Sequence, residues 1–100
     1  MGSRRGGGHG RGLPEFEWDE HNEDKLLRNH GVSAAEAEQC FANSHPDPRR
    51  VADAMLMLGI TDCGRMLLLV YEQKPDGIVR VYSAREQTGK ERRTFRRLAR

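Results

Sequence analysis

The sequence lacks the features that mark membrane or exported proteins. No apolar run approaches the roughly 20 residues that a membrane-spanning helix needs, and the N-terminus has no apolar signal-peptide centre. We therefore expect a cytoplasmic protein that has no membrane partner. Its two cysteines, Cys40 and Cys63, form no CxxC motif and have no ligand-like spacing with histidine. This predicts neither a zinc site nor a disulfide framework, and we expect no metal and no cofactor.

The chain of 100 residues is long enough for one small domain with a modest core. Residues 1–12, "MGSRRGGGHGRG", are rich in glycine and arginine and lack the apolar residues that a core needs. Such a composition is typical of disorder. We therefore predict a disordered extension over residues 1–12 and a single domain over residues 13–100.

Charge is distributed unevenly along the chain. Residues 13–64 contain four basic and eleven acidic residues, whereas residues 65–100 contain ten basic and four acidic residues. The later segment is therefore a candidate phosphate-binding surface, and the earlier one is acidic.

Periodicity and capping residues predict a small α+β fold. The alternation in "LPEFEWD" indicates a strand, Asp19 is a plausible helix N-cap, and Gly31 suits the end of that helix. Ser33 and Glu36 fit a capping box that opens a second helix. Three strands follow, over residues 54–60, 66–73 and 78–84, and then a helix over residues 89–98. The predicted order is β-α-α-β-β-β-α around a small antiparallel sheet, with two N-terminal helices and one C-terminal helix.

The strand "MLLLVY" is apolar at consecutive positions, which indicates that both of its faces are covered. Three short helices cover one face well and the other only partly. We therefore expect an apolar patch that marks a partner site on the second face, unless the last helix folds over it.

Three stretches resemble the BrnT toxins of bacterial type II toxin–antitoxin systems: "FEWDEHNEDKLLRNHGVSAAEAEQCF", "LGITDCGRMLLLVY" and "IVRVYSAREQTGKERRTF". The resemblance extends from about Phe16 to Phe95. It implies a RelE-like fold and a metal-independent endoribonuclease that directs a ribose 2′-OH at the adjacent phosphate. It also implies a BrnA-like antitoxin partner in a heteromeric complex, with operator DNA bound only through that antitoxin.

That chemistry requires cations for the phosphate and groups for proton transfer, and this sequence offers candidates for both. Alternation along the last strand places Arg80, Tyr82 and Ala84 on one face, and Val79, Val81, Ser83 and Arg85 on the other. Arg80 and Arg85 are the predicted catalytic phosphate ligands, and Glu91 or His30 is the predicted proton-transfer group. The further predicted RNA contacts are Arg65, Arg92 and Tyr82.

Each of these candidates also has a purely structural interpretation. Arg85 and Glu91 would form an ion pair that joins strand to helix, and His30 before Gly31 is a common arrangement at a helix end. The arginines of "RRTFRRLAR" would form a solvated helix face.

The chain departs from the usual BrnT pattern at several positions. Asn22 and Asn29 replace lysine, Leu26 replaces asparagine, Ala54 replaces arginine, Phe95 replaces tyrosine, and Glu86-Gln87 replaces Lys-Ala. The alternative function is therefore a catalytically weakened or inactive BrnT-like binding module that acts through its antitoxin or RNA surface. A free-standing DNA-binding regulator is disfavoured, because no DNA-binding motif precedes the basic tail.

Overall fold

A computed structural model describes residues 4–7, 14–43, 49–51 and 53–98. In chain order the elements are β1 (Arg4–Gly7), β2 (Glu15–Trp18), α1 (Glu20–His30), α2 (Ala34–Asn43), β3 (Arg49–Val51), β4 (Ala54–Ile60), β5 (Met66–Gln73), β6 (Val79–Glu86) and α3 (Gly89–Leu98). The strands form one sheet in the spatial order β1-β2-β6-β5-β4-β3. Strands β2 and β6 pair in parallel, and every other neighbouring pair is antiparallel.

The α+β class is confirmed, but the predicted element order and the purely antiparallel sheet are wrong. The sequence analysis missed the short edge strands β1 and β3, and it missed the parallel pairing of β2 with β6. Residues Arg4–Gly7, which lie in the predicted extension, form β1, whose backbone pairs with β2. Backbone pairing satisfies N–H and C=O groups at a sheet edge without needing an apolar pattern, which explains why glycine and arginine obscured it. The rest of the predicted extension, and its boundary at residue 12, lie outside the described residues.

Local capping signals set the ends of the helices as the sequence predicts. The Asp19 side chain accepts from the Asn22 backbone N–H, and the Asn22 side chain accepts from the Asp19 N–H. Gly31 ends α1 in the left-handed region, with φ of 63°. Ser33 and Glu36 make the predicted reciprocal bonds before α2. These short-range bonds satisfy helix-end donors that the helix itself leaves unpaired.

Helices α1 and α2 cover one face of the sheet and form the apolar core with it. Phe16 and Trp18 of β2 are almost fully buried there, and the Phe41 ring contacts both the Phe16 and Tyr71 rings at centroid distances of 5.0 and 5.1 Å. The other buried core residues are Leu26, Val32, Ala34, Ala37, Cys40, Met57, Leu67, Leu69, Val79, Val81 and Ala84. This core fixes the strands that carry the candidate site.

A β-bulge in β6 changes the predicted division of its side chains. Val70 pairs with Ser83 and Tyr71 pairs with Val81, so Tyr82 is the additional residue. Beyond the bulge, Ala84 is buried in the core and Arg85 pairs with Leu68 on the other side of the sheet. The prediction that Ala84 shares a face with Arg80, and Arg85 with Val81, is therefore wrong, because one extra residue reverses the alternation.

We call the side of the sheet opposite α1 and α2 the second face; it carries Leu58, Leu68, Val70, Glu72 and Arg80. Its apolar part is half-buried, in agreement with the expectation that β5 is apolar on both sides. Helix α3 lies over part of this face and buries Phe95. The second face therefore has an apolar half under α3 and a charged half along β6.

Candidate active site

Arg80 is held by two carboxylates at the charged end of the second face. Its Nη1 lies 2.9 Å from Asp19 Oδ2 and 3.3 Å from Glu17 Oε1. Lys74 Nζ lies 2.7 Å from the same Glu17 oxygen. The hydrogen bond from Lys74, together with Arg80, keeps the pKa of Glu17 below its ordinary value. The Arg80 guanidinium thus has ionised carboxylate partners at the place where the sequence predicted a phosphate.

Tyr82 is the bulged residue of β6, and its side chain is 40% exposed. The phenol oxygen donates a hydrogen bond of 2.5 Å to Glu72 Oε1. This bond to a carboxylate raises the pKa of Tyr82 above its ordinary value. An exposed neutral aromatic ring beside cationic groups suits stacking on an RNA base.

Arg85 and Glu91 form a forked ion pair between β6 and α3. Arg85 Nη1 lies 2.8 Å from Glu91 Oε1, and Nη2 lies 2.9 Å from Oε2. The Thr88 backbone N–H also donates to Glu91 Oε1, at 2.9 Å. The Arg85 hydrogen bonds, aided by Thr88, lower the pKa of Glu91 from 4.5 to about 2. The structure therefore contains the ion pair between strand and helix that the structural interpretation of Arg85 and Glu91 requires.

Arg65 lies in the β4–β5 turn and joins three parts of the chain. Its Nη atoms donate to the carbonyl oxygens of His30 and Gly31, at 3.2 and 2.8 Å, at the end of α1. Its Nη1 and Nε bind the carboxylates of Glu36 and Glu86, at 3.2 and 2.6 Å. A cation at these carbonyls also complements the negative end of the α1 dipole. The contacts of Arg65 are thus those of a structural cross-link.

His30 lies at the end of α1, beside the part of β6 that follows the bulge. Its Nε2 is 3.4 Å from the Ser83 hydroxyl, and its side chain is exposed. Arg65 donates a hydrogen bond to the His30 carbonyl, and this bond fixes the backbone that carries the imidazole. An accessible imidazole at a fixed position is suited to proton transfer.

The predicted site residues form separate groups around three arginines. Arg85 forms an ion pair with Glu91, and Arg65 donates to the His30 carbonyl. Arg80 pairs across the strands with Glu72, and Glu72 accepts the hydrogen bond from Tyr82. Arg92 is exposed on α3, and its side chain makes no ion pair within the described residues. The roles of these residues in binding RNA stay predictions.

The carboxylate partners of the arginines were missed, except for Glu91. Glu17 lies 63 positions before Arg80, and Glu36 lies 29 positions before Arg65. Such pairs depend on tertiary folding and have no local sequence signal. The acidic composition of residues 13–64 was the available hint, because a basic segment folds against it.

Comparison with known protein families identifies the chain. The profile of the family described as "Ribonuclease toxin, BrnT, of type II toxin-antitoxin system" matches residues 18–91. The chain belongs to the BrnT toxin family. Membership supports a ribonuclease toxin of a type II system, with an RNA substrate and an antitoxin partner. A search of curated proteins gave no match.

The BrnT match includes nearly all of the predicted site residues. His30, Arg65, Arg80, Tyr82, Arg85 and Glu91 fall within residues 18–91, and Arg92 lies one position beyond. Within the described residues, no group of three or more His, Cys, Asp or Glu side chains could hold a metal ion. None of the described helices is long and apolar enough to cross a membrane.

Several of the residues expected to depart from the BrnT pattern have structural tasks in this chain. Asn22 is buried, and its Nδ2 donates to the Glu17 and Val81 carbonyls, which ties α1 to β2 and β6. Leu26 is fully buried in the core. Glu86 binds Arg65, and the Gln87 amide donates to two strand carbonyls at 3.1 and 3.0 Å. These residues therefore support the scaffold of this chain.

Proposed function

We propose that the chain is a RelE-like, metal-independent endoribonuclease toxin that acts in the cytoplasm. Membership of the BrnT family carries the proposal, and the row of Arg80, Tyr82 and Arg85 along β6 supplies cations and an exposed ring for RNA. In the reaction the ribose 2′ oxygen attacks the neighbouring phosphorus. The bond from phosphorus to the 5′ oxygen breaks, and the products are a 2′,3′-cyclic phosphate and a 5′-OH end.

In this proposal Arg85 and Arg80 exchange carboxylate partners for phosphate. A carboxylate and a phosphate both offer two oxygens to a guanidinium fork, so the phosphate can take the position that Glu91 or Asp19 holds. The second negative charge that develops in the transition state then favours the phosphate over the single charge of a carboxylate. Arg65 serves the site indirectly, because its bonds to the His30 and Gly31 carbonyls position the end of α1.

His30 is the better proton-transfer candidate of the two. Glu91 has a pKa of about 2 while Arg85 holds it, so at neutral pH it has no proton to give and is a weak base. Histidine is the side chain most often used for proton transfer near neutral pH. The nearby Ser83 hydroxyl orients the imidazole in this assignment.

The partner in the proposed system is a BrnA-like antitoxin. It forms a heteromeric complex with the toxin, and the complex binds operator DNA through the antitoxin alone. Residues 65–100 carry ten basic and four acidic residues, so an acidic segment of the antitoxin would complement them.

One observation favours the second candidate function, a weakened or inactive binding module. Three of the four arginines predicted to contact RNA, namely Arg65, Arg80 and Arg85, already have a carboxylate within 3.2 Å. If RNA cannot displace these carboxylates, the chain retains its partner surface without cleaving RNA.

The deciding experiment measures RNA cleavage by the purified chain in EDTA. We expect RNA fragments ending in 2′,3′-cyclic phosphate, and a loss of rate of about 10²-fold or more for Arg85→Ala and for His30→Ala. Arg85→Lys retains the charge without the fork and should recover only part of the rate. Arg28→Ala is the matched control, because Arg28 is an exposed arginine that pairs only with Asp24 of its own helix among the ion pairs of the described residues.

Expression of the chain alone should arrest growth, and Arg85→Ala should relieve the arrest. A well-folded wild-type protein that neither cleaves RNA nor arrests growth would favour the binding module. Cleavage that requires a divalent cation, or that leaves 3′-OH ends, would contradict the proposed chemistry.

A further inference from the structure

A groove runs along α3 where that helix leaves the second face of the sheet only partly covered. Its volume is about 400 Å³. Its apolar lining comes from Leu56, Leu58 and Leu68 of the sheet and from Phe95 and Leu98 of α3. Leu98 is 45% exposed although it lies on this apolar lining. An apolar groove with an exposed leucine at its edge is typical of a surface that a partner covers.

The length of the groove suits a short helix. Glu91, Thr94, Phe95 and Leu98 line it and recur along one side of α3, so the groove follows most of that helix. Ten residues of α-helix extend about 15 Å, at about 1.5 Å per residue. A partner helix that places apolar residues at i, i+3 or i+4, and i+7 needs about 10 Å. Two or three apolar anchors therefore fit along the groove.

The charges around the groove select an acidic partner. Arg49 and Lys90 line it, and the charge of Glu91 is taken up by Arg85. The rest of the α3 surface adds Arg92, Arg93, Arg96 and Arg97, all exposed. The apolar lining disfavours RNA, whose backbone needs cations rather than leucines. A second copy that docked through its own α3 would bring two basic helices together, which costs free energy.

We propose that this groove is the docking site for a short acidic amphipathic helix of the antitoxin. The helix inserts leucine-like side chains between α3 and the β4–β5 surface, and its acidic residues face Arg49, Lys90 and the outer arginines of α3. The proposal rests on the proposed function for the identity of the partner. It places that partner beside the Arg85–Glu91 pair, because Glu91 belongs both to the groove and to that ion pair.

The test uses a fluorescein-labelled synthetic helix with leucines at i, i+3 or i+4, and i+7, and with glutamates elsewhere. Fluorescence anisotropy should show saturable binding to the wild-type chain. Leu98→Glu should weaken binding about tenfold or more, because it places a carboxylate in the apolar groove, close to the glutamates of the peptide. Leu27→Glu is the matched control, because Leu27 is a similarly exposed leucine, 54% against 45%, and lies on α1.

Charge selectivity provides a second measurement. Lys90→Glu should weaken binding about threefold or more and reduce its dependence on salt, because one favourable charge contact becomes unfavourable. A peptide with lysine in place of every glutamate should not bind. Circular dichroism melts check that the variants are folded, and Leu98→Ala is the second variant if Leu98→Glu unfolds.

Equal binding by wild type and Leu98→Glu, equal binding of the lysine peptide, or no binding at all would overturn the docking site. Self-association of the chain that Leu98→Glu abolishes would also overturn it, in favour of a second copy. The RNA cleavage assay on the same protein separates the two proposals. If the chain cleaves RNA but does not bind the peptide, only the docking site is contradicted. If it binds the peptide but does not cleave RNA, only the nuclease is contradicted.

Discussion

The two faces of the sheet are built from the same strands but are held by different kinds of contact. On the face under α1 and α2, side chains such as Leu67, Leu69 and Val81 are almost fully buried in one apolar core. On the second face, Arg80 and Arg85 are held by ion pairs, with the Arg80 side chain 18% exposed and the Arg85 side chain 44% exposed, and the apolar residues under α3 are only half-buried.

This difference separates the part that fixes the fold from the part that is free to change partners. Apolar burial contributes most of the stability of a small domain, and it cannot be exchanged for another ligand without unfolding. A half-exposed ion pair such as Arg85–Glu91 contributes little, so a phosphate can replace its carboxylate at small cost. A binding surface made of such pairs therefore leaves the fold intact when its partner arrives.

Neighbouring leucines of β5 give the strongest test of this contrast. We expect Leu69→Ala to lower the free energy of unfolding by about 2–5 kcal/mol, because it leaves a cavity in the closed core. Leu68→Ala, one residue away and half-buried in the groove, should cost about 1 kcal/mol or less. Urea unfolding monitored by circular dichroism measures both. Equal losses would show that α3 closes the second face as tightly as α1 and α2 close the first.

Much of the fold follows from local sequence signals. The capping residues Asp19 and Ser33 mark the starts of the first two helices, and residues 54–60 and 66–73 form the two strands that their apolar runs predict. These signals work because each is satisfied by neighbours a few positions away. Strands β1 and β3 were missed because no apolar alternation in the sequence marks their backbone pairing with β2 and β4.

The site was less predictable than the fold. The bulge at Tyr82 moves Arg85 and Ala84 to faces that strict alternation did not give them. The contacts of Arg65 and Arg80 come from segments far away in the chain, so no local pattern announces them. Arg85 and Glu91 lie only six positions apart, which explains why that pair could be anticipated.

The arginines themselves give a second, smaller contrast. Arg65→Ala should lower the free energy of unfolding by about 1–3 kcal/mol, because two helix-end carbonyls and two carboxylates lose their donor. Arg85→Ala should cost less than about 1 kcal/mol, since it breaks one half-exposed pair. Arg28→Ala on α1 should change stability by no more than about 0.5 kcal/mol and serves as the baseline. If Arg65→Ala behaves like Arg28→Ala, then Arg65 is no structural cross-link and returns as a candidate phosphate ligand.

The smallest expected effect is the dependence of the Arg85–Glu91 pair on pH. Folding lowers the pKa of Glu91 from 4.5 to about 2, so the pair stabilises the native state fully above pH 4.5. That contribution should fade as the pH falls from 4.5 towards 2, because a proton then binds the unfolded chain before the folded one. We therefore expect the difference in unfolding free energy between wild type and Glu91→Gln to be constant at neutral pH and to shrink below pH 4.5. Urea titrations at a series of pH values measure it.

In an Arg85→Ala background, the same comparison should lose most of its pH dependence, since Arg85 is the main cause of the lowered pKa. A pH dependence that survives in that background would assign the effect to the Thr88 cap, and α3 would then be held to the sheet by Phe95 rather than by this pair.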